Sequence, residues 1–134
     1  MTLGVRAWVE RSDGGVALVR HTYTPGLFFP GGGVERGEPA AEALRRELVE
    51  EIGAALEGPA ELVGVYSNHK VFPNDHVLFY RIPAGHWSAG EATSQGEIEE
   101  IIWADPGALP EGLTPGTRRR FAEIRAGQSP SEYW

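Results

Sequence analysis

Glu47, Glu50 and Glu51 stand three and four residues apart in a stretch that reads as helix. At that spacing their Cβ atoms lie roughly 5–6 Å from one another, and like charges repel. A chain that concentrates carboxylates this way either leaves them solvated or supplies a cation. Taken alone, Glu-x-x-Glu-Glu is more often a solvated acidic helix face, so its setting carries the argument. Gly31-Gly32-Gly33 lies upstream, and a glycine-rich segment lets backbone approach a phosphate or offer a carbonyl to a metal. With no Cys in the chain, a metal must draw on oxygen or imidazole ligands. Carboxylates together with a backbone carbonyl are hard donors that suit Mg²⁺ or Mn²⁺.

The helix that presents these residues is predicted over residues 39–52, with Gly53 as its stop signal. At 100° per residue, Ala41, Leu44, Leu48 and Ile52 fall within an arc of about 80°, and the three glutamates within about 100° beside it. One face packs and the neighbouring face is acidic. Upstream, Val5, Ala7 and Val9 alternate in residues 3–10, and a second apolar run covers 16–20 after Ser12-Asp13-Gly14-Gly15, which predicts a hairpin. Residues 27–29 form a short apolar stretch, and Pro30-Gly31-Gly32-Gly33 is expected to be a loop. Residues 61–67, 77–82 and 100–104 read as three further strands and 117–126 as a final helix closed by Gly127. Interleaving without a βαβ rhythm predicts an α/β protein with a mixed sheet between helices.

A length of 134 residues fits a single domain over residues 1–134, able to bury about two-thirds of its unfolded surface. The 18 Gly and 10 Pro imply many turns. A net charge of −7 argues against a nucleic-acid partner, which requires clustered cations. A polyanionic small molecule would need cations supplied locally. Neither a signal-peptide pattern nor an apolar membrane span appears, so the expectation is a soluble cytoplasmic protein with no membrane partner.

The segment Gly32 to Ala54, GGVERGEPAAEALRRELVEEIGA, resembles the Nudix box, G-x5-E-x7-R-E-U-x-E-E-x-G-U with U a bulky aliphatic. Gly32, Glu38, Arg46, Glu47, Leu48, Glu50, Glu51 and Gly53 match, and Ala54 alone departs, at a packing position. Seven fixed identities at fixed spacing arise by chance in one window with a probability on the order of 10⁻⁸. The resemblance extends over most of the chain and implies a Nudix-type α/β/α sandwich with the box as loop-helix-loop. It implies metal-dependent hydrolysis of a diphosphate bond in a nucleoside-diphosphate derivative, by attack of water on phosphorus. Metal ligands implied are Glu47, Glu50, Glu51 and the Gly32 carbonyl. Arg46 is implied to orient the glutamates, Glu38 to assist from behind, and Glu47 to take the proton from water. A further acidic residue before Trp103 is sought among Glu97, Glu99 and Glu100, with Glu97 favoured for its place at the loop boundary.

Which derivative is cleaved is not encoded in the box. Trp8, Tyr23, Phe28, Tyr66 and Phe72 are either core or a base-stacking surface. Arg118-Arg119-Arg120 reads as a solvated basic turn or a phosphate contact, and His69 and His76 as loop residues that either touch a ligand or do not. The alternative function is a non-catalytic Nudix-fold module that binds a nucleotide; it is disfavoured because the box carboxylates are all present. The oligomeric state is left open, a homodimer included.

Overall fold

The computed structural model describes residues 1–94 and 96–134. Its elements run β1 (Thr2–Val9), β2 (Val16–His21), β3 (Leu27–Phe28), β4 (Gly31–Gly33), α1 (Ala40–Ile52), β5 (Ala54–Leu56), β6 (Glu61–Ser67), β7 (Asp75–Ile82), β8 (Trp87–Ala89), β9 (Ile98–Ala104) and α2 (Pro115–Arg125). The predicted hairpin does not form. The Arg11 N–H donates to the Gly15 carbonyl at 2.8 Å and Glu10 bridges Val16, after which the two strands part. β1 enters a mixed sheet of order β4-β1-β7-β6, parallel to β7 and antiparallel to β4. β2 lies between β3 and β9 in an antiparallel sheet, and β5 pairs with β8. The reason lies in burial: Ala7 to Val9 and Val16 to Val19 are buried without a break, and an isolated two-stranded ribbon cannot cover both of its faces.

Each strand instead serves two cores. Val5, Ala7, Val9, Ala17 and Val19 pack on Ala43, Leu44, Leu48 and Ile52 of α1. Trp8, Val16 and Leu18 pack on Phe29, Phe79 and Phe121, the last from α2. A fully buried side chain of this size contributes about 1.5–3 kcal/mol, so both helices are fixed to the sheet layer. The architecture is the expected α/β/α sandwich with a mixed sheet.

Within α1 the boundaries agree with expectation, and Gly53 closes it in the left-handed conformation with its N–H on the Leu48 and Val49 carbonyls. Its buried stripe is turned from the expected one, because Ala43 and Glu51 are buried and Ala41 is exposed. The acidic face therefore looks toward β4. That segment is a strand and not a loop: Gly31, Gly32 and Gly33 pair with Arg6, Val5 and Gly4. α2 begins at Pro115, with the Thr114 hydroxyl accepting the Thr117 N–H at 3.3 Å. Among the described residues no helix is long and apolar enough to cross a membrane.

Candidate active site

Two of the three glycines of β4 sit where a side chain would meet other atoms, whereas a Cβ on Gly33 would meet nothing within 4 Å. A Cβ on Gly31, where φ is 151°, would collide with the Val5 carbonyl oxygen, and one on Gly32 would lie 2.5 Å from Glu47 Oε1. The space that side chains would fill is taken by the neighbouring strand and by a carboxylate. A strand without side chains is what lets α1 bring its glutamates against backbone.

Glu51 is 4% exposed, which makes its partners decisive. Its Oε1 accepts the Gly31 N–H at 2.9 Å and its Oε2 lies 3.2 Å from His21 Nε2. His21, at the end of β2, is itself buried beside the rings of Tyr23 and Phe28. Glu47 sits one turn earlier with Arg46 Nη1 at 3.0 Å from its Oε1. Partial burial pushes the Glu47 carboxyl above the usual range, and the charge of Glu51 pushes it further, against the pull of Arg46.

Arg46 is the hub of the charged network. Its Nε and Nη2 donate to both oxygens of Glu38 at 2.8 and 3.0 Å, and Nη2 also donates to the Gly33 carbonyl at 3.1 Å. Glu50 lies 3.5 Å from Nη1 at the more exposed rim. The guanidinium first, and the Glu35 N–H second, hold the Glu38 carboxyl down at about 2. Glu38 thus stays ionised at any working pH, and the two-point grip fixes the plane of Arg46.

Among the described residues, no three His, Asp or Glu side chains converge on one point as an ion-binding cluster. Glu51 is engaged by Gly31 and His21, and Glu47 by Arg46. The donor set nevertheless fits a hard divalent cation. It is all oxygen, Glu47 occupies a cradle that a Cβ on Gly32 would fill, and Glu51 raises the affinity of Glu47 for positive charge.

A cavity of about 560 Å³ opens along β4 and is lined by all three of its glycines. Arg6, Tyr23, Phe28, Phe72, Asp75, Arg119 and Trp134 contribute further walls. Of the aromatic candidates, Tyr23, Phe28 and Phe72 face this space, whereas Trp8 and Tyr66 are core. A second hollow, of about 240 Å³, is lined by Glu51, Ser94, Glu99 and Glu100 among others. Glu97 is exposed at the bend before β9, where its carbonyl accepts the Thr22 N–H at 3.0 Å, and it does not line that hollow. Glu100 pairs with Arg20 at 3.3 Å.

His69 Nδ1 accepts the Asn74 N–H at 3.0 Å and shapes a turn, while His76 lies in β7. The basic run is not a solvated turn throughout, since Arg120 is 1% exposed. Sequence reasoning missed His21, Arg6, Asp75 and Trp134. A charge at Arg6 inside the apolar alternation of β1 was a signal for one of them; the others are brought in by long-range packing.

The model of the NUDIX domain family matches residues 1–124. The chain belongs to this family. It is 34% identical over 115 residues to a Bacillus subtilis protein named "Putative 8-oxo-dGTP diphosphatase", a match covering 84% of this chain and 72% of that one. Over 100 residues it is 32% identical to a Methanocaldococcus jannaschii ADP-ribose pyrophosphatase, covering 69% of this chain and 59% of the relative. The fold is similar to that of a MutT NUDIX hydrolase from Burkholderia pseudomallei, with a TM-score of 0.75, 28% identity and coverage of 92% and 97% of the two chains. This Nudix hydrolase therefore carries its box where the geometry above gathers the glutamates.

Proposed function

We propose that residues 1–134 form one Nudix hydrolase domain that cleaves a diphosphate bond in a small nucleoside-diphosphate derivative, using Mg²⁺ or Mn²⁺. The observation that carries this reading is Glu47, wedged against Gly32, held by Arg46 and crowded by Glu51, beside a cavity of about 560 Å³. That volume lies within the range of small-ligand pockets. Glu47, Glu50, Glu51 and the Gly32 carbonyl would hold the ion. When bound, it supplies positive charge to the phosphoryl oxygens and leaving group and eases deprotonation of water.

The chain's own residues do the rest. Glu47 accepts the proton of the attacking water. Arg46 positions Glu47, and Glu38 positions Arg46. Glu97 can approach only from the bend before β9; Glu99, which shares a hollow with Glu51, is the better supported acidic candidate on that side. The relatives' names divide between 8-oxo-dGTP and ADP-ribose, both nucleoside diphosphates joined to a further group. The net charge of −7 agrees with a small-molecule substrate whose charge is met by cations and with no nucleic-acid partner, and a cytoplasmic setting is part of the same proposal.

A screen of nucleoside triphosphates, ADP-ribose, sugar nucleotides and dinucleoside polyphosphates with Mg²⁺ tests the reading. Cleavage of at least one is expected, with a nucleoside phosphate among the products. Nucleotide binding with no cleavage of any would favour the non-catalytic module.

A further inference from the structure

The family model stops at residue 124, yet a residue beyond it lines the cavity beside the box. The chain turns back after α2 and runs along β6. The Ser67 N–H donates to the Glu132 carbonyl at 2.7 Å, and the Trp134 N–H donates to the Ser67 carbonyl at 2.9 Å. Arg119 Nε donates to the Trp134 carbonyl at 2.7 Å and Arg120 Nη1 to that of Tyr133 at 3.1 Å. Arg119 and Arg120 of the arginine run thus grip this segment.

Beneath it, the nearly buried Arg120 and Glu123 pair at 3.3 Å. A buried ion pair is costly unless its remaining hydrogen bonds are made. Tyr66 Oη donates to Glu123 at 2.7 Å, and the Ser131 N–H donates to it at 3.1 Å. The segment therefore supplies part of the polar core under α2, in which the buried Arg120 Nε keeps no hydrogen-bond partner, and these contacts fix its position. The start of α2 is shaped for the ring it delivers: a Cβ on Gly116 would collide with the Trp134 indole. Tyr66 and Phe79 meet that indole edge-on at 5.4 Å each, and the Arg120 guanidinium lies over it at 5.0 Å.

Trp134 is held from several sides but only half-buried, and it borders the same cavity as the β4 glycines, Asn68 and Asp75. The Asp75 carboxylate accepts from Thr2 Oγ1 at 2.6 Å and from Asn68 Nδ2 at 3.0 Å, so this end of the cavity offers oriented polar groups beside an aromatic wall. A flat heteroaromatic ring with polar edges satisfies both features. We propose that Trp134 is a specificity-determining residue against which the substrate's nucleobase packs, with the diphosphate lying toward β4 and α1. The proposal rests on the nucleoside-diphosphate reading above, and it gives the segment beyond the family domain a part in substrate choice.

Calorimetric binding of GMP, AMP, CMP and UMP, each with Mg²⁺, to the full chain and to Trp134→Phe and Trp134→Ala tests it. For the nucleotide that the wild type binds best, Trp134→Ala should bind at least tenfold more weakly and Trp134→Phe within threefold of wild type. Ribose 5-phosphate should not discriminate among the three proteins. If Trp134→Ala fails to fold, Trp134→Leu keeps an apolar anchor without an aromatic face and is judged by the same tenfold threshold. Equal nucleotide affinity in wild type and the alanine or leucine variant overturns the proposal, as does a wild type that binds none of the four. Hydrolysis is scored separately on the wild type: binding through Trp134 without any cleavage would sink the hydrolase reading and leave this one standing.

Discussion

Excess EDTA is expected to abolish hydrolysis, and Mg²⁺ or Mn²⁺ to restore it. The physical reason is the charge around β4. A diphosphate reaching Gly32 meets Glu47 and Glu51 in a protein whose net charge is already −7. Two like charges about 4 Å apart repel by about 4 kcal/mol at an effective dielectric near 20, equivalent to about a thousandfold in affinity. Arg46 cannot offset this, since its donors are engaged by Glu38, Glu47 and the Gly33 carbonyl. A divalent cation removes the repulsion and has a matching set of oxygen donors. Release of nucleoside phosphate measured across an EDTA titration checks this, and undiminished activity would mean that the glutamates serve another purpose.

Glu51→Gln should lower turnover by about a thousandfold or more while the protein still folds. The amide keeps an acceptor for the Gly31 N–H and nearly the same volume, and only the contact with His21 is remade. A cost of about 1–3 kcal/mol is the scale for disturbing one buried hydrogen bond, which most domains survive. The missing negative charge is a different matter, because it removes a ligand for the cation that stabilises the reacting phosphate. Melting curves and initial rates on the same preparation separate the two effects. A well-folded variant within a few-fold of wild type would show that Glu51 is a structural acid paired with His21.

What was legible in the sequence is what local periodicity and fixed spacing encode. Helix α1, its end at Gly53 and the partnership of Glu38, Arg46 and Glu47 follow from residues within 16 positions of one another. Strand pairing is not local. β1 and β2 look like a hairpin because a turn joins an alternating run to a short apolar one, but burial on both faces sends them into different sheets. Gly31 to Gly33 reads as a loop on propensity alone, and becomes a strand by pairing with Gly4 to Arg6, with Val5 and Glu47 in the space that side chains on Gly31 and Gly32 would need. Taken alone the acidic triplet reads as a solvated face, because nothing in α1 itself reveals that the strand opposite is bare. His21, 30 positions from Glu51, and Trp134, beyond the final helix, are joined to the site only by tertiary packing.

The proposed reaction is attack of water on a phosphorus atom of a diphosphate at the box glutamates. Hydrolysis of whichever nucleotide the screen identifies, run in H₂¹⁸O with Mg²⁺ and read by mass spectrometry, tests it most directly. One ¹⁸O is expected in a phosphate-containing product, with none incorporated by Glu51→Gln over the same time. Label on a sugar carbon, or product formed at wild-type rate by the variant, would contradict it.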